Sequence, residues 1–190
     1  MKAVIFNGAK EGDLTIDAIE KAISDRLTEV GWEVEPIELH NIHIAYCLGC
    51  FGCWLKTPGE CVIKDAGHDL ARKVIESDVV FLLTSVTFGM YSSELKKAMD
   101  RFPCPVLLPF FKKVNGEIHH SNRYNKYPTL VAIGVMSNSD EESEKTFTTL
   151  VGRNGINLHT KAISSIVYSG DKPEDINEKV KSTLCKVGFQ

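Results

Sequence analysis

Four cysteines fall within fifteen residues: Cys47, Cys50 and Cys53 at a spacing of three, then Cys61 eight positions on. Three thiolates so close, with a fourth nearby, can surround one metal centre, since iron–sulfur clusters and zinc both use four thiolates. The compact triple favours a cubane cluster over zinc, which more often takes two separated pairs. Gly49 and Gly52 ease the tight wrapping such a site needs. The same pattern also suits a thiol-rich loop that holds no metal and packs beside a ligand pocket. Cys104 and Cys185 stand apart. The clustering points to a metal site or redox chemistry rather than to a disulfide framework.

A second candidate is Thr84-Ser85-Val86-Thr87-Phe88-Gly89-Met90-Tyr91. It offers hydroxyls, backbone donors, a flexible glycine and two aromatic rings. That mix suits a flat heteroaromatic ring whose edge needs hydrogen bonds and whose face needs stacking. The plainer alternative is a loop whose aromatics anchor the core. A third candidate is Asn7-Gly8-Ala9-Lys10-Glu11-Gly12-Asp13. Its glycines let N–H groups converge on an anion at a helix start, with Lys10 and Thr15 adding a charge and a hydroxyl. Asp13, itself favoured at a helix N-terminus, competes for that position, and Glu11 adds repulsion. His119-His120 reads as a solvated hairpin rather than a metal site. Lys112, Lys113, Arg123 and Lys126, against Glu117, read as a basic flap for a phosphorylated nucleotide, or else as a subunit contact or a solvated surface.

These loops must be held by regular elements. Residues 2–6, 79–84 and 129–135 are mainly apolar runs and predict buried strands, with a further strand at 162–168 and a shorter one at 33–39. Helices are expected over 13–30, 65–76, 92–102, 141–153 and 173–186, marked by capping residues such as Asp13 and Ser92 or Ser93 and by Pro173 in a first turn. Three prolines break the chain after residue 102, and Asn115-Gly116 predicts a hairpin turn. Strand–helix alternation repeated five times predicts an α/β, doubly wound five-stranded parallel sheet, flavodoxin-like with order 2-1-3-4-5 and helices on both faces. Residues 1–190 read as a single domain in which 103–127 is an insertion or flap before the fourth strand. In such sheets ligands bind beyond the carboxyl ends of the strands, where all three loops and the cysteine segment lie.

The chain has 190 residues, 43% of them hydrophobic, and a formal net charge of −3. That balance gives no reason to expect nucleic acid or an anionic membrane surface. The first apolar run is too short for a secretory signal, and no run approaches the roughly 18 residues that span a bilayer. A cytoplasmic location without membrane contact is the expectation.

The sequence resembles the flavodoxin-like NADPH-dependent FMN reductases, and in particular the iron–sulfur flavoproteins. The resemblance extends over residues 1–168. It rests on Asn7-Gly8, on Cys47-Leu-Gly-Cys50-Phe-Gly-Cys53-Trp54 with Cys61-Val-Ile-Lys-Asp65, and on residues 84–90 with Ser93-Glu-Leu-Lys-Lys-Ala-Met-Asp-Arg101. It implies non-covalent FMN, a homodimer or tetramer, and electrons from NADPH, NADH or a ferredoxin-like donor. By that likeness Asn7, Gly8, Ala9, Lys10 and Thr15 lie along the phosphate. Thr84, Ser85, Val86, Thr87, Phe88, Gly89 and Tyr91 lie along the isoalloxazine, and Cys47, Cys50, Cys53 and Cys61 ligate a [4Fe–4S] cluster. The chain departs from the family pattern where Ala9-Lys10-Glu11 replaces Ser-Pro-Arg and where Val86 replaces a proline. The expected activity is oxidoreduction toward a quinone, another flavin, a nitro compound or a protein. Two alternatives stand beside it: an electron carrier with no substrate of its own, and a binding module that has lost its cofactor.

Overall fold

A computed structural model describes residues 1–189. The elements run β1 (Lys2–Asn7), α1 (Leu14–Glu29), β2 (Glu33–Glu38), a 3-10 turn (Leu39–Asn41), α2 (Gly52–Leu55), α3 (Ala66–Glu76), β3 (Val79–Ser85), α4 (Ser93–Arg101), α5 (Pro103–Val106), β4 (Leu107–Val114), β5 (Glu117–Asn122), β6 (Thr129–Met136), α6 (Glu141–Asn157), β7 (Ala162–Tyr168) and α7 (Pro173–Val187). The main sheet has the order β2-β1-β3-β6-β7 with parallel pairing throughout. This is the flavodoxin-like order expected from the alternation, once β4 and β5 are set aside as a separate antiparallel pair.

The central strands are apolar on both faces because both faces are covered. Val4, Phe6, Val80 and Leu82 point to one core, shared with α3, α4 and α6. Ala3, Ile5, Phe81 and Leu83 point to the other, shared with α1 and α7. Helix starts are capped at the expected Asp13 and Ser92, and also at Asp65, which the sequence predicts as a first helical residue. Asp13 accepts from Ile16 N, Asp65 from Gly67 N and Ser92 from Leu95 N.

Two expectations needed adjustment. α6 continues to Asn157, four residues past the expected end at Arg153, because Gly155 lets the helix lie against Ala162. A Cβ on Gly155 would stand 2.5 Å from Ala162 Cβ. The cysteine segment also contains a helical turn, α2, whose burial pattern is too short to show a period. The hairpin turn falls at Asn115-Gly116, both at positive φ as a two-residue turn of this hand requires. The hairpin is docked by Tyr127, whose hydroxyl donates to Val106 O (2.5 Å) and accepts from Arg123 N (2.9 Å). No helix among the described residues is long and apolar enough to cross a membrane.

Candidate functional site

The parallel register brings the ends of β1, β3 and β6 to one edge, where Asn7 stands opposite Leu83 and Ser85 opposite Val135. The β1 loop is tied to the β3 loop. Gly8 N donates to Leu83 O (2.8 Å), and Ser92 Oγ donates to Gly8 O (2.6 Å). A Cβ on Gly8 would lie 2.6 Å from Leu95 Cβ, so the close approach requires glycine there. Asn7 is buried and satisfied internally: its Oδ1 accepts from Ala9 N (2.9 Å) and its Nδ2 donates to Glu20 (2.8 Å). Burial pushes the Glu20 carboxyl up. Lys10 is exposed and Thr15 half-buried.

The start of α1 already holds an anion. One Asp13 oxygen accepts from Ile16 N (3.2 Å) and the other from Ser85 Oγ (3.4 Å), so the carboxylate bridges the β1 and β3 loops. With Ala9 N, Asp13 N and Ile16 N all engaged, this loop is not an empty phosphate cradle.

The β3 loop is better prepared. Buried Thr84 donates to Ser85 O and accepts from Ser92 N (2.8 Å), which fixes the exit of the strand. Val86 N donates to Val135 O (2.8 Å), and Thr87 and Met90 exchange hydrogen bonds across a tight turn. At its tip Phe88 has φ 51° and is 91% exposed, so both ring faces are free. A non-glycine residue in this backbone region is uncommon and strained. Gly89 lies against α6, where a Cβ would meet Thr146 at 2.5 Å. Tyr91 is buried edge-on to Phe147 and bonded to Asn154 (2.9 Å), and burial pushes its hydroxyl up to about 12. The loop thus divides its aromatics, one anchoring the core and one presented at the edge.

The cysteine segment, residues 45–65, leaves the fold after β2 and returns at α3. A buried ion pair clips its two ends together. Arg101, with a side chain 0% exposed, donates to both oxygens of Asp65 (2.8 Å each), to Ala45 O (2.7 Å) and to Ile63 O (3.4 Å). Asp65 in turn accepts from Ala45 N (2.7 Å) and Gly67 N (3.0 Å). Burial opposes ionisation of Asp65, but Arg101 and the two N–H groups outweigh it and hold the carboxyl below the usual range.

Between these ends Cys47, Cys50, Cys53 and Cys61 line one small cavity, of about 30 Å³, together with Arg101 and a fifth thiol, Cys104. Arg101 Nη2 stands 3.4 Å from Cys61 Sγ. Trp54 stacks on Phe51 and donates from Nε1 to Cys104 O (2.7 Å) and Leu107 O (2.9 Å), fastening α5 to the cysteine loop. Burial pushes the Cys104 thiol up to about 12, and the neighbouring Cys53, Cys47 and Cys61 add to the shift. The six cysteines are free thiols. Among the described residues no three His, Cys, Asp or Glu side chains are grouped to hold a single metal ion. The donor chemistry, soft thiols beside a buried cation, is of the kind that suits an anionic thiolate-bound cluster. His119 pairs with Glu117, while His120 bonds Leu108 O and packs between Trp54 and Phe111, so neither joins the thiols.

Spacing found the first four cysteines. It missed Cys104 and Arg101, which arrive from the end of α4 and from α5 through tertiary packing. The only local signal was the turn chemistry of Pro103-Cys104-Pro105.

A family model described as NADPH-dependent FMN reductase matches residues 1–172. An iron-sulfur flavoprotein of Archaeoglobus fulgidus is 35% identical over 101 residues, 53% of this chain and 45% of that protein. One of Methanocaldococcus jannaschii is 28% identical over 143 residues, 75% of this chain and 67% of that protein. The chain thus spans only about half to two thirds of the length of these relatives. Among solved structures, an NAD(P)H:quinone oxidoreductase from Methanothermobacter marburgensis superposes with a TM-score of 0.69 at 11% identity, covering 100% of this chain and 96% of that one. An FMN-dependent NADH-azoreductase from Bacillus anthracis, in complex with FMN, gives 0.65 at 13%, covering 99% and 98%. At these identities the likeness to both structures is one of fold.

Proposed function

The chain belongs to the NADPH-dependent FMN reductase family, and on that premise we propose that it is an FMN-dependent oxidoreductase. It takes electrons from NADPH, NADH or a ferredoxin-like donor and passes them to a quinone, flavin, nitro compound or protein. The observation that carries the reading is the β3 loop, fixed at both ends and presenting Ser85, Thr87 and the exposed ring of Phe88 at the carboxyl edge of the sheet. A bound flavin supplies the hydride and electron chemistry. The chain's part is to hold and orient it. Ser85, Val86, Thr87 and Gly89 would line the ring edge, Phe88 would cover a face, and Lys10 and Thr15 would serve the phosphate. The apolar wall behind Val86 excludes water from that side.

We further propose that Cys47, Cys50, Cys53 and Cys61 hold a [4Fe–4S] cluster. The soft donor set and the clipped loop support it. α4 relates the two sites: its cap, Ser92, closes the ring loop, and its last residue, Arg101, faces the thiols. Nine residues of helix separate them by about 13 Å.

Anaerobic purification with flavin, iron and sulfide analysis tests both cofactors. Flavin absorbance and four irons per chain are expected. Protein that neither retains nor quenches added FMN refutes the oxidoreductase reading. The electron-carrier reading draws support from the exposed apolar residues around the thiols, Tyr46, Leu48, Phe51 and Leu55, a surface suited to a protein partner. Stopped-flow mixing with NADPH separates the two. Direct fast reduction supports the enzyme, and reduction only through a ferredoxin supports the carrier.

A further inference from the structure

The ion pair between Arg101 and Asp65 explains how the cysteine loop is closed, but it leaves part of the arginine unaccounted for. Asp65 takes one N–H from each terminal nitrogen, and Ala45 O takes another from Nη1. Nη2 also reaches Ile63 O at 3.4 Å and Cys61 Sγ at 3.4 Å, a normal length for a donor to sulfur. Nε is buried with no hydrogen-bond partner. A guanidinium this deep, lining the same cavity as five thiols, is more than a structural staple needs.

We propose that Arg101 is a positioning residue that sets the reduction potential of the thiolate-bound centre through its N–H···S hydrogen bond to Cys61. This rests on the reading of the cysteines as cluster ligands. When the centre accepts one electron from a donor such as reduced flavin, its negative charge grows by one and spreads onto the thiolate sulfurs. A donor aimed at one of those sulfurs stabilises the reduced form more than the oxidised form and raises the potential. Asp65 offsets the charge of the arginine. The pair therefore delivers a directed N–H to the sulfur with little net charge, while Asp65 restrains the effect the free cation would have.

That balance gives the two partners opposite signatures. Arg101→Lys keeps a cation beside Asp65 but loses the planar donor at Cys61. Arg101→Gln loses the charge as well. Both shift the potential negative, with a tenfold change in the reduced-to-oxidised ratio, about 59 mV for one electron, as the scale for Arg101→Gln. Asp65→Asn keeps one oxygen, for Gly67 N at the start of α3, gives up the acceptor for Ala45 N, uncovers the arginine's charge, and shifts the potential positive. Mere loosening of the loop would move all three variants the same way.

The test is a dithionite titration of the holoprotein and the three variants, followed by the electron paramagnetic resonance of the reduced centre, with iron and sulfide measured on each. Opposite shifts for the Arg101 and Asp65 variants support the proposal. Shifts of one sign, or an unchanged potential in Arg101→Gln, overturn it. Wild-type protein labelled with ¹⁵N-arginine needs no variant to fold: a ¹⁵N coupling to the reduced centre supports the hydrogen bond, and its absence overturns it. Wild-type protein without iron overturns the cluster reading itself, an outcome the metal analysis separates from the others.

Discussion

Asp65→Ala is the most informative single perturbation of the fold around the thiols. The carboxylate, 7% exposed, accepts from Arg101 Nη1, Arg101 Nη2, Ala45 N and Gly67 N. Alanine leaves a fully buried guanidinium without its counter-charge, removes the cap of α3 and frees the entry of the cysteine loop. Breaking a buried pair from one side costs about 3–5 kcal/mol, and the cap loss overlaps with that figure. About 4 kcal/mol is a large share of a stability of about 5–15 kcal/mol, and lowers Tm by roughly 8–16 °C in a chain this long. Urea unfolding at pH 7, followed by far-ultraviolet circular dichroism, measures it. The pH dependence supplies a second check. The folded state holds Asp65 below its ordinary value of 3.8, so its contribution is complete above that value and is lost as pH falls through the lower, folded value. The gap between wild type and variant therefore narrows in acid. The Asp65→Leu/Arg101→Met double substitution, which removes both charges, costs less than Asp65→Ala alone. A gap below about 1 kcal/mol at pH 7, or one unchanged at acid pH, refutes the reasoning.

Three further outcomes follow from the same contacts. Asp13→Ser keeps a cap for α1 and removes the carboxylate beside the β3 loop; with that loop as the proposed flavin site, fluorescence titration is expected to show FMN binding tightened about fivefold relative to riboflavin, the effect of about 1 kcal/mol of relieved repulsion. Gly8→Ala forces a Cβ to within 2.6 Å of Leu95 Cβ and 2.8 Å of Ser92 Oγ; it is expected to cost about 1–3 kcal/mol in chemical denaturation and to weaken flavin binding with it. Tyr127→Phe frees Val106 O and Arg123 N, and is expected to lower stability by about 1 kcal/mol while making the β4–β5 hairpin a site of faster proteolysis.

Local signals carried most of the fold. β3 and β6 are legible because a strand buried on both faces needs an unbroken apolar run. The hairpin is legible because Asn115-Gly116 tolerates the two positive φ values its turn demands. The end of α6 was not legible: Gly152 and Gly155 look like breakers until the neighbouring strand shows that Gly155 is there for close packing. The same division holds at the candidate site. Cys47, Cys50, Cys53 and Cys61 announce themselves by spacing, and the competition between Asp13 and a phosphate follows from charge at a helix start. Tyr91 looked like a ring-binding residue, but the structure places it in the core against Phe147, a partner 56 positions away. Arg101 closes a stretch shared with the family, but its pairing is not legible there, because its partner Asp65 is 36 positions distant.

Asp13 and Asp65 show one device with two consequences. Each is the cap of a helix, α1 or α3, and each uses its second oxygen to reach across to a neighbouring element. At α1 that oxygen meets Ser85, so the carboxylate stays partly free and puts a negative charge where an anionic ligand would bind. At α3 it meets Arg101, and the charge is consumed inside the protein. The end formed by the β1 and β3 loops is thereby biased against an anionic ligand, while the thiol end gains a buried donor without carrying its full charge. A cap whose carboxylate is left open repels an anion, and a cap whose carboxylate is paired can help to hold one. The difference lies in the residue across the gap, serine or arginine, rather than in the aspartate itself.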